Sequence, residues 1–309
     1  MKRRMFVAGA TATGLSLVGG VAGLAQEQAG TATPASGGET VTQAGVESGF
    51  APVNGLQMYY EIHGSGREPV VLIHGAYMTT GLMEFLLSGL ATTRQVIAID
   101  LQGHGRTADV DRPITYEQMV EDVAALMDYL GIARADIVGY SMGGSIALLL
   151  AMRHPDRVRK VVAASGQYRL DGLYPEVIAG IAEITPEVFY GTPWYEENYA
   201  AVAPRPGDFP ALVEKLKRLD AEEFDWSQEI REIAAPTLLV FGDADVVRPE
   251  HMAELFRLLG GGVPGDLTGL PKARLAVLPG TTHVTVMDRI DWLLPMITEF
   301  LDEPSPETS

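Results

Sequence analysis

The stretch Ala135-Asp136-Ile137-Val138-Gly139-Tyr140-Ser141-Met142-Gly143-Gly144-Ser145-Ile146-Ala147-Leu148-Leu149-Leu150 decides how this chain reads. An apolar run from Ala135 to Val138 stops at a glycine, and an apolar helical run, Ile146 to Met152, begins a few residues later. Between them stands Gly139-Tyr140-Ser141-Met142-Gly143, a G-x-S-x-G arrangement in the strand-to-helix setting that the motif requires. There the serine occupies a sharp, strained turn that lifts its hydroxyl above the sheet. The two glycines leave space where a larger side chain would strike the adjoining backbone. Ser141 then sits at a helix N-terminus, where free N–H groups and the positive end of the helix dipole favour a developing anion.

Working outward, Pro69 to Ile73 and Gln95 to Ile99 are further continuous apolar runs, the pattern of strands buried on both faces of a parallel sheet. Upstream, Met58 to Ile62 reads as a strand after the turn Val53-Asn54-Gly55, an opening hairpin. Downstream lie strands at Val158 to Ala163, Thr237 to Phe241 and Arg274 to Leu278, with a last helix near Trp292 to Leu301. Thr115 to Leu130 has a capping box in Thr115 and Gln118 and a buried stripe of Val120, Val123, Ala124 and Met127. Strand alternating with helix predicts an α/β fold, a mainly parallel sheet with helices on both faces. Between Ser165 and Ala235 the rhythm breaks into helical pieces interrupted by Pro175, Pro186, Pro193, Pro204, Pro206 and Pro210. Residues 166–232 are therefore read as an inserted helical cap, and 48–165 with 233–303 as the core. The cap holds 10 of the chain's 23 aromatic residues. These rings either roof an apolar pocket or form the cap's own small core.

A serine hydroxyl needs a base to take its proton. Of the six histidines, His63, His104, His154 and His251 read as surface or capping residues, and His74, before Gly75 at a strand end, as one that shapes a loop. His283 differs, because Leu278-Pro279-Gly280-Thr281-Thr282-His283 places it just after the last strand, near the sheet edge that carries Ser141. It takes the base role in the required order of Ser, acid, His. For the acid, Gly242-Asp243-Ala244-Asp245 follows a strand and offers two candidates. Asp245 is chosen because it lies beyond the Gly242 turn and can point into the site; Asp243 more often closes such a turn.

These motifs, His74-Gly75-Ala76-Tyr77, Asp100-Leu101-Gln102-Gly103-His104-Gly105-Arg106-Thr107, the Ser141 elbow, Gly242-Asp243-Ala244-Asp245 and Gly280-Thr281-Thr282-His283, come in order and each near a strand end. From residue 50 to 303 the chain resembles the α/β-hydrolase superfamily. The resemblance implies an eight-stranded sheet, a cap after the sixth strand and an acid at Asp245. It also implies an oxyanion hole made by the backbone N–H groups of Ala76 and Met142. The implied activity is hydrolysis of a small-molecule carboxylic ester, lactone or similar acyl substrate. A cofactor-free haloperoxidase or perhydrolase with the same three residues is the nearest alternative, and a non-catalytic ligand-binding protein that keeps the fold is an alternative of another class. Relatives with Asp as nucleophile cleave epoxides or carbon–halogen bonds, and Ser141 in that position argues against both. Gly103 and Gly105 lack the third glycine of a phosphate loop, and there is no His-Glu-x-x-His or Gly-Lys-Ser/Thr, so neither cofactor nor metal is implied.

Composition narrows the partners. Lys plus Arg number 23 against 40 Asp plus Glu, a formal charge of −17 that repels phosphate backbones and anionic lipid surfaces, so nucleic acid is not an expected partner. Cysteine is absent, which removes disulfides and thiolate chemistry. Met1-Lys2-Arg3-Arg4, a Gly/Ala-rich apolar run to about Ala25, and then polar sequence read as a twin-arginine export signal over 1–25. A flexible linker is expected over 26–47. The apolar run is poor in Leu, Ile and Phe, which favours a cleaved signal over an uncleaved anchor and a mature protein in the periplasm or outside the cell without stable membrane insertion. N-terminal sequencing of exported material should find a start close to Gln26; a start at Met1 would reject cleavage.

Overall fold

The computed structural model describes residues 41–304 apart from 44 and 67; the expected signal at 1–25 and residues 26–40 of the expected linker lie outside the described residues. Nine strands form one sheet among the described residues. They are β1 (Val41–Gln43), β2 (Val46–Val53), β3 (Leu56–His63), β4 (Val70–Ile73), β5 (Val96–Ile99), β6 (Ala135–Tyr140), β7 (Val158–Ala164), β8 (Thr237–Ala244) and β9 (Ala273–Thr282), in the order β1-β2-β3-β5-β4-β6-β7-β8-β9. The pairs from β1 to β5 by way of β2 and β3 are antiparallel. The pairs joining β5, β4, β6, β7, β8 and β9 are parallel. The eight-stranded, mainly parallel sheet is thus β2 to β9, and β1 adds a ninth strand at its edge.

β1 and the start of β2 lie within the stretch that composition assigns to a linker. Their backbone pairing, Val41 opposite Ser48 and Gln43 opposite Val46, is a source of order that side-chain composition does not register. The expected hairpin is present, with Val53 opposite Leu56 and both Asn54 and Gly55 at positive φ, 49° and 85°, as a tight two-residue turn demands.

The continuous apolar runs are explained by burial on both faces. Val71, Ile73, Ile97, Ile99, Ile137, Val161 and Leu239 pack toward α2 (Tyr116–Tyr129), α3 (Met142–Arg153) and the cap. Their neighbours Val70, Leu72, Val96, Ala98, Val138, Val162, Leu238 and Val240 pack the other way, against α1 (Glu84–Ala91) and the C-terminal helix Ile290–Asp302. Side chains that alternate across the pleat therefore all leave water, and no polar face remains to produce an alternating sequence. At the N-terminus of α2, Thr115 Oγ1 accepts from the Gln118 N–H at 3.1 Å, while the Gln118 side chain turns to Asp122 at 3.1 Å rather than back to the cap residue. The capping box is therefore half made.

The chain leaves the sheet after β7 and returns at β8. In between lie helices Pro175–Ala182 and Phe209–Ala221 and several shorter turns. Phe209 is fully buried and is ringed by Phe189, Trp194, Tyr195 and Tyr199 at centroid distances of 5.2, 6.3, 4.9 and 4.7 Å. Of the two readings of the cap aromatics, these rings form the cap's own core. One of them also docks the cap, since Phe189 meets Tyr77 of the loop after β4 at 4.9 Å. A second tie is the Lys215 ammonium, which donates to both Asp109 carboxylate oxygens at 2.7 and 2.9 Å. Among the described residues no helix is long and apolar enough to cross a membrane.

Parallel pairing brings the C-terminal ends of β4 to β9 to one rim, where open α/β sheets bind ligands. Register sets what meets there. Ile73 is opposite Gly139, Tyr140 opposite Ala164, and Ala244 opposite Thr282. The residues next in the chain are His74, Ser141, Ser165, Asp245 and His283.

Candidate active site

Ser141 leaves β6 at φ 55° and ψ −120°, a left-handed backbone that a non-glycine residue adopts at a cost of about 1–3 kcal/mol. Its surroundings compel this turn. A Cβ at Gly139 would lie 2.0 Å from the Gly143 carbonyl oxygen, and one at Gly143 would lie 2.3 Å from the Ile73 oxygen. Both neighbours are backbone and cannot swing aside. The Ser141 N–H is held by the Ala164 carbonyl at 2.8 Å, which anchors the elbow to β7. The Ser141 hydroxyl therefore projects from a clamped backbone at the rim.

His283 arrives from the far side of the rim. Between Gly242–Leu278 and Ala244–Thr282 the β8–β9 register shifts, with more residues on β9 than on β8, and the bulge carries Gly280 at φ 65°. Asp243 holds this bulge, its carboxylate accepting from the Thr281 N–H at 3.0 Å. The Gly280 and Thr281 N–H groups lower its pKa. The Tyr140 hydroxyl donates to the His283 carbonyl at 2.7 Å and fixes the backbone beneath the ring. His283 Nε2 then lies 2.9 Å from Ser141 Oγ, and Nδ1 lies 2.8 Å from Asp245 Oδ1.

The Asp245 side chain is fully buried. Its Oδ2 accepts from the Ser165 hydroxyl at 2.6 Å and the Gly242 N–H at 3.2 Å, and its Oδ1 accepts from the Val247 N–H at 3.3 Å as well as facing His283. Burial, the largest single influence, raises its pKa. The hydrogen bond and charge of His283, with the Ser165 and Gly242 donors, together outweigh it and hold the carboxyl below the usual range. So the residues read from sequence, Ser141, Asp245 and His283, meet in one hydrogen-bonded chain, and Asp243 lies beside it as a strut.

Ala76 and Met142 flank the serine. Neither backbone N–H finds an acceptor among the described residues; Met142 is the first residue of α3, whose first turn leaves such donors free. Two histidines shape the Ala76 loop. His74 donates from Nδ1 to the Gly75 carbonyl at 2.7 Å and accepts at Nε2 from the Leu101 N–H at 3.1 Å. His104 donates from Nδ1 to the Gln102 carbonyl at 2.9 Å and accepts at Nε2 from the Tyr77 N–H at 3.2 Å, which holds Tyr77 at φ 62°. Burial pushes His74 down to about 3, with His104 adding to it, and burial pushes His104 down to about 4. Both rings are thus neutral braces. The surface or capping role expected of His104 and His251 is corrected, for His104 is 0% and His251 1% exposed. His63 and His154 pair with Glu61 and Glu121 at 2.9 and 3.0 Å.

Ser165 and Tyr140 were not singled out in the sequence. Ser165 had one signal, a polar residue ending the apolar run of β7; Tyr140 had none, since the middle position of the elbow motif accepts any residue. Among the described residues no three His, Asp or Glu side chains gather as a metal site.

Residues 68–209 match the family model described as alpha/beta hydrolase fold. The chain is 32% identical over 266 residues to a pimeloyl-[acyl-carrier protein] methyl ester esterase of Neisseria meningitidis, covering 77% of this chain and 80% of that protein. Among solved structures, the enol-lactonase from Burkholderia xenovorans matches with a TM-score of 0.64 at 25% identity, covering 82% of this chain and all of that one. A thermophilic esterase from Thermogutta terrifontis matches with a TM-score of 0.62 over 85% of this chain and 96% of its own; at 23% identity that likeness speaks to the fold.

Asp245→Asn should lower turnover by roughly 10³- to 10⁴-fold while Asp243→Asn does far less; steady-state kinetics giving the opposite ranking would reject the assignment. His104 offers a test by pH. Its folded pKa, about 4, lies below the ordinary 6.5, so its contribution is full above 6.5 and is lost as pH falls toward 4. Wild type should lose about 1.4 kcal/mol per pH unit from this group, and His104→Gln should not. The stability gap between them, measured by urea unfolding, should narrow in that window; a constant gap would mean that His104 is not buried neutral.

Proposed function

Because the chain belongs to the alpha/beta hydrolase fold family, we propose that it is a serine hydrolase that cleaves a carboxylic ester or lactone through an acyl-enzyme on Ser141. One observation carries this reading: the unbroken chain from Ser141 Oγ to His283 Nε2 at 2.9 Å and from His283 Nδ1 to the buried Asp245 at 2.8 Å.

The chemistry follows from that arrangement. His283 takes the Ser141 proton as Oγ attacks the substrate carbonyl, and Asp245 fixes the tautomer and balances the imidazolium that forms. The oxyanion falls between the Ala76 and Met142 N–H groups at the positive end of α3, and donors so placed typically lower the barrier by about 3–4 kcal/mol each. The imidazolium then protonates the leaving alkoxide. An alcohol departs from a simple ester, whereas a lactone keeps its new hydroxyl on the acyl group. Water, deprotonated by the same imidazole, releases the acid and restores Ser141. The ester and lactone specificities of the relatives support this choice of bond, and the export signal read at residues 1–25 would place the activity outside the cytoplasm.

A fluorophosphonate probe should label wild type and leave Ser141→Ala unlabelled, and nitrophenyl esters should be hydrolysed by wild type alone. Absence of labelling in both proteins would point to a binding module.

A further inference from the structure

Resting on the serine-hydrolase reading, we propose that Ser165 is a positioning residue for that reaction, whose hydroxyl orients the Asp245 carboxylate and weakens its hold on the proton that His283 takes from Ser141. The contacts form a closed circuit. The Ala164 carbonyl accepts the Ser141 N–H at 2.8 Å, and the next residue, Ser165, donates from Oγ to Asp245 Oδ2 at 2.6 Å. Asp245 Oδ1 meets His283 Nδ1 at 2.8 Å, and His283 Nε2 returns to Ser141 Oγ at 2.9 Å. Two adjoining residues at the end of β7 thus hold the nucleophile by its backbone and the acid by its side chain.

The backbone at Ser165 shows why a serine stands there. Its φ is 52°, left-handed like that of Ser141. Packing after β7 dictates the turn. Gly166 lies so close to α3 that a Cβ there would sit 2.8 Å from the Gly144 carbonyl carbon, and the Gln167 N–H donates to Ser145 Oγ at 3.0 Å. The Ser165 N–H is meanwhile held by the Val240 carbonyl of β8 at 2.7 Å. Glycine would take this conformation without strain. A strained residue that is only 3% exposed and bonded to the acid points to function, and what serine adds over glycine is one donor.

That donor makes the shortest of the contacts on the carboxylate. An O–H to carboxylate bond at 2.6 Å is charge-assisted, whereas the Gly242 and Val247 N–H groups lie at 3.2 and 3.3 Å, the long end for N–H donors. By drawing negative charge toward Oδ2, the hydroxyl leaves less of it on Oδ1 to face His283. Without it the carboxylate holds the imidazolium more tightly and is freer to turn. The base then carries its proton up to a higher pH and is less well aimed. The other titratable groups around this pair are the Tyr140 phenol on β6, which donates to the His283 carbonyl, Asp243 at the β9 bulge, and Asp288, whose charge reaches Tyr140. All three are kept in the variants that test the proposal.

Ser165→Ala and Ser165→Gly both remove the hydroxyl but differ in strain, since alanine keeps the cost of the left-handed turn and glycine relieves it. The full protein and both variants are assayed against pH with a nitrophenyl ester. The acidic limb of kcat/KM, which reports proton binding by the His283–Asp245 couple, should move up by about half a pH unit in both variants. On the plateau kcat should fall by about tenfold while KM stays within about twofold, because the hydroxyl faces Asp245. The position of the limb does not depend on how much enzyme is folded, so a purely structural role would not move it. Thermal unfolding should place Ser165→Gly above Ser165→Ala. An unmoved limb, a shift to lower pH, or a limb that moves in Ser165→Ala alone and so follows strain would each overturn this inference and leave the hydrolase reading standing. No turnover of any ester by wild type would remove both.

Discussion

The left-handed backbone at Ser141 is the constraint on which the rest of the site depends. A residue at φ 55° relaxes unless its neighbours forbid the alternatives. Here Gly139 and Gly143 allow α3 to turn back hard against β4 and β6, at separations where any Cβ would overlap a carbonyl oxygen. That closeness serves two ends: it aims the serine hydroxyl away from the sheet, and it leaves the first N–H groups of α3 unpaired beside it. The strain is borne by the most buried strands of the molecule, which have little freedom to yield.

Much of this is legible in the chain because it rests on short-range chemistry. The strand-to-helix junction around Ser141, the continuous apolar runs and the Gly242 and Gly280 turns each leave a mark within a few residues. Asp245, His283 and Ser141 could be named from these marks alone, and the structure brings them together. What could not be read was long-range. β1 is ordered by backbone pairing, to which polar residues contribute as well as any. Ser165 and Tyr140 matter through partners 80 and 143 residues away, so no local pattern announces them. His104 and His251 look like exposed loop and helix residues until packing buries them. The Gly242 turn already favours Asp245 over Asp243, but the part Asp243 plays appears only with β9 in place, for its bulge hands Asp243 a backbone N–H and Asp245 an imidazole.

Electrostatics divides the site into fixed and responsive parts. Asp245 is held ionised despite burial because three donors and His283 converge on it. His74 and His104 are held neutral first by burial, and in each the Nε2 that would take the second proton already accepts a backbone N–H. These groups serve as geometry, positioning His283 on one side of Ser141 and the Ala76 loop on the other. Asp220, on the helix Phe209–Ala221, differs: desolvation pushes its carboxyl up to about 7, and its side chain makes no hydrogen bond or ion pair among the described residues.

The central claim is that the clamped turn presents Ser141 to both a base and a pair of backbone donors at once. A crystal structure of the protein inactivated by a phosphonate tests it most directly, since the trapped group mimics the tetrahedral intermediate. The account predicts phosphorus on Ser141 Oγ, its free oxygen within hydrogen-bond reach of the Ala76 and Met142 N–H groups, and His283 Nε2 directed at the leaving-group side. An adduct on another residue, or a phosphonyl oxygen turned away from both N–H groups, would contradict it.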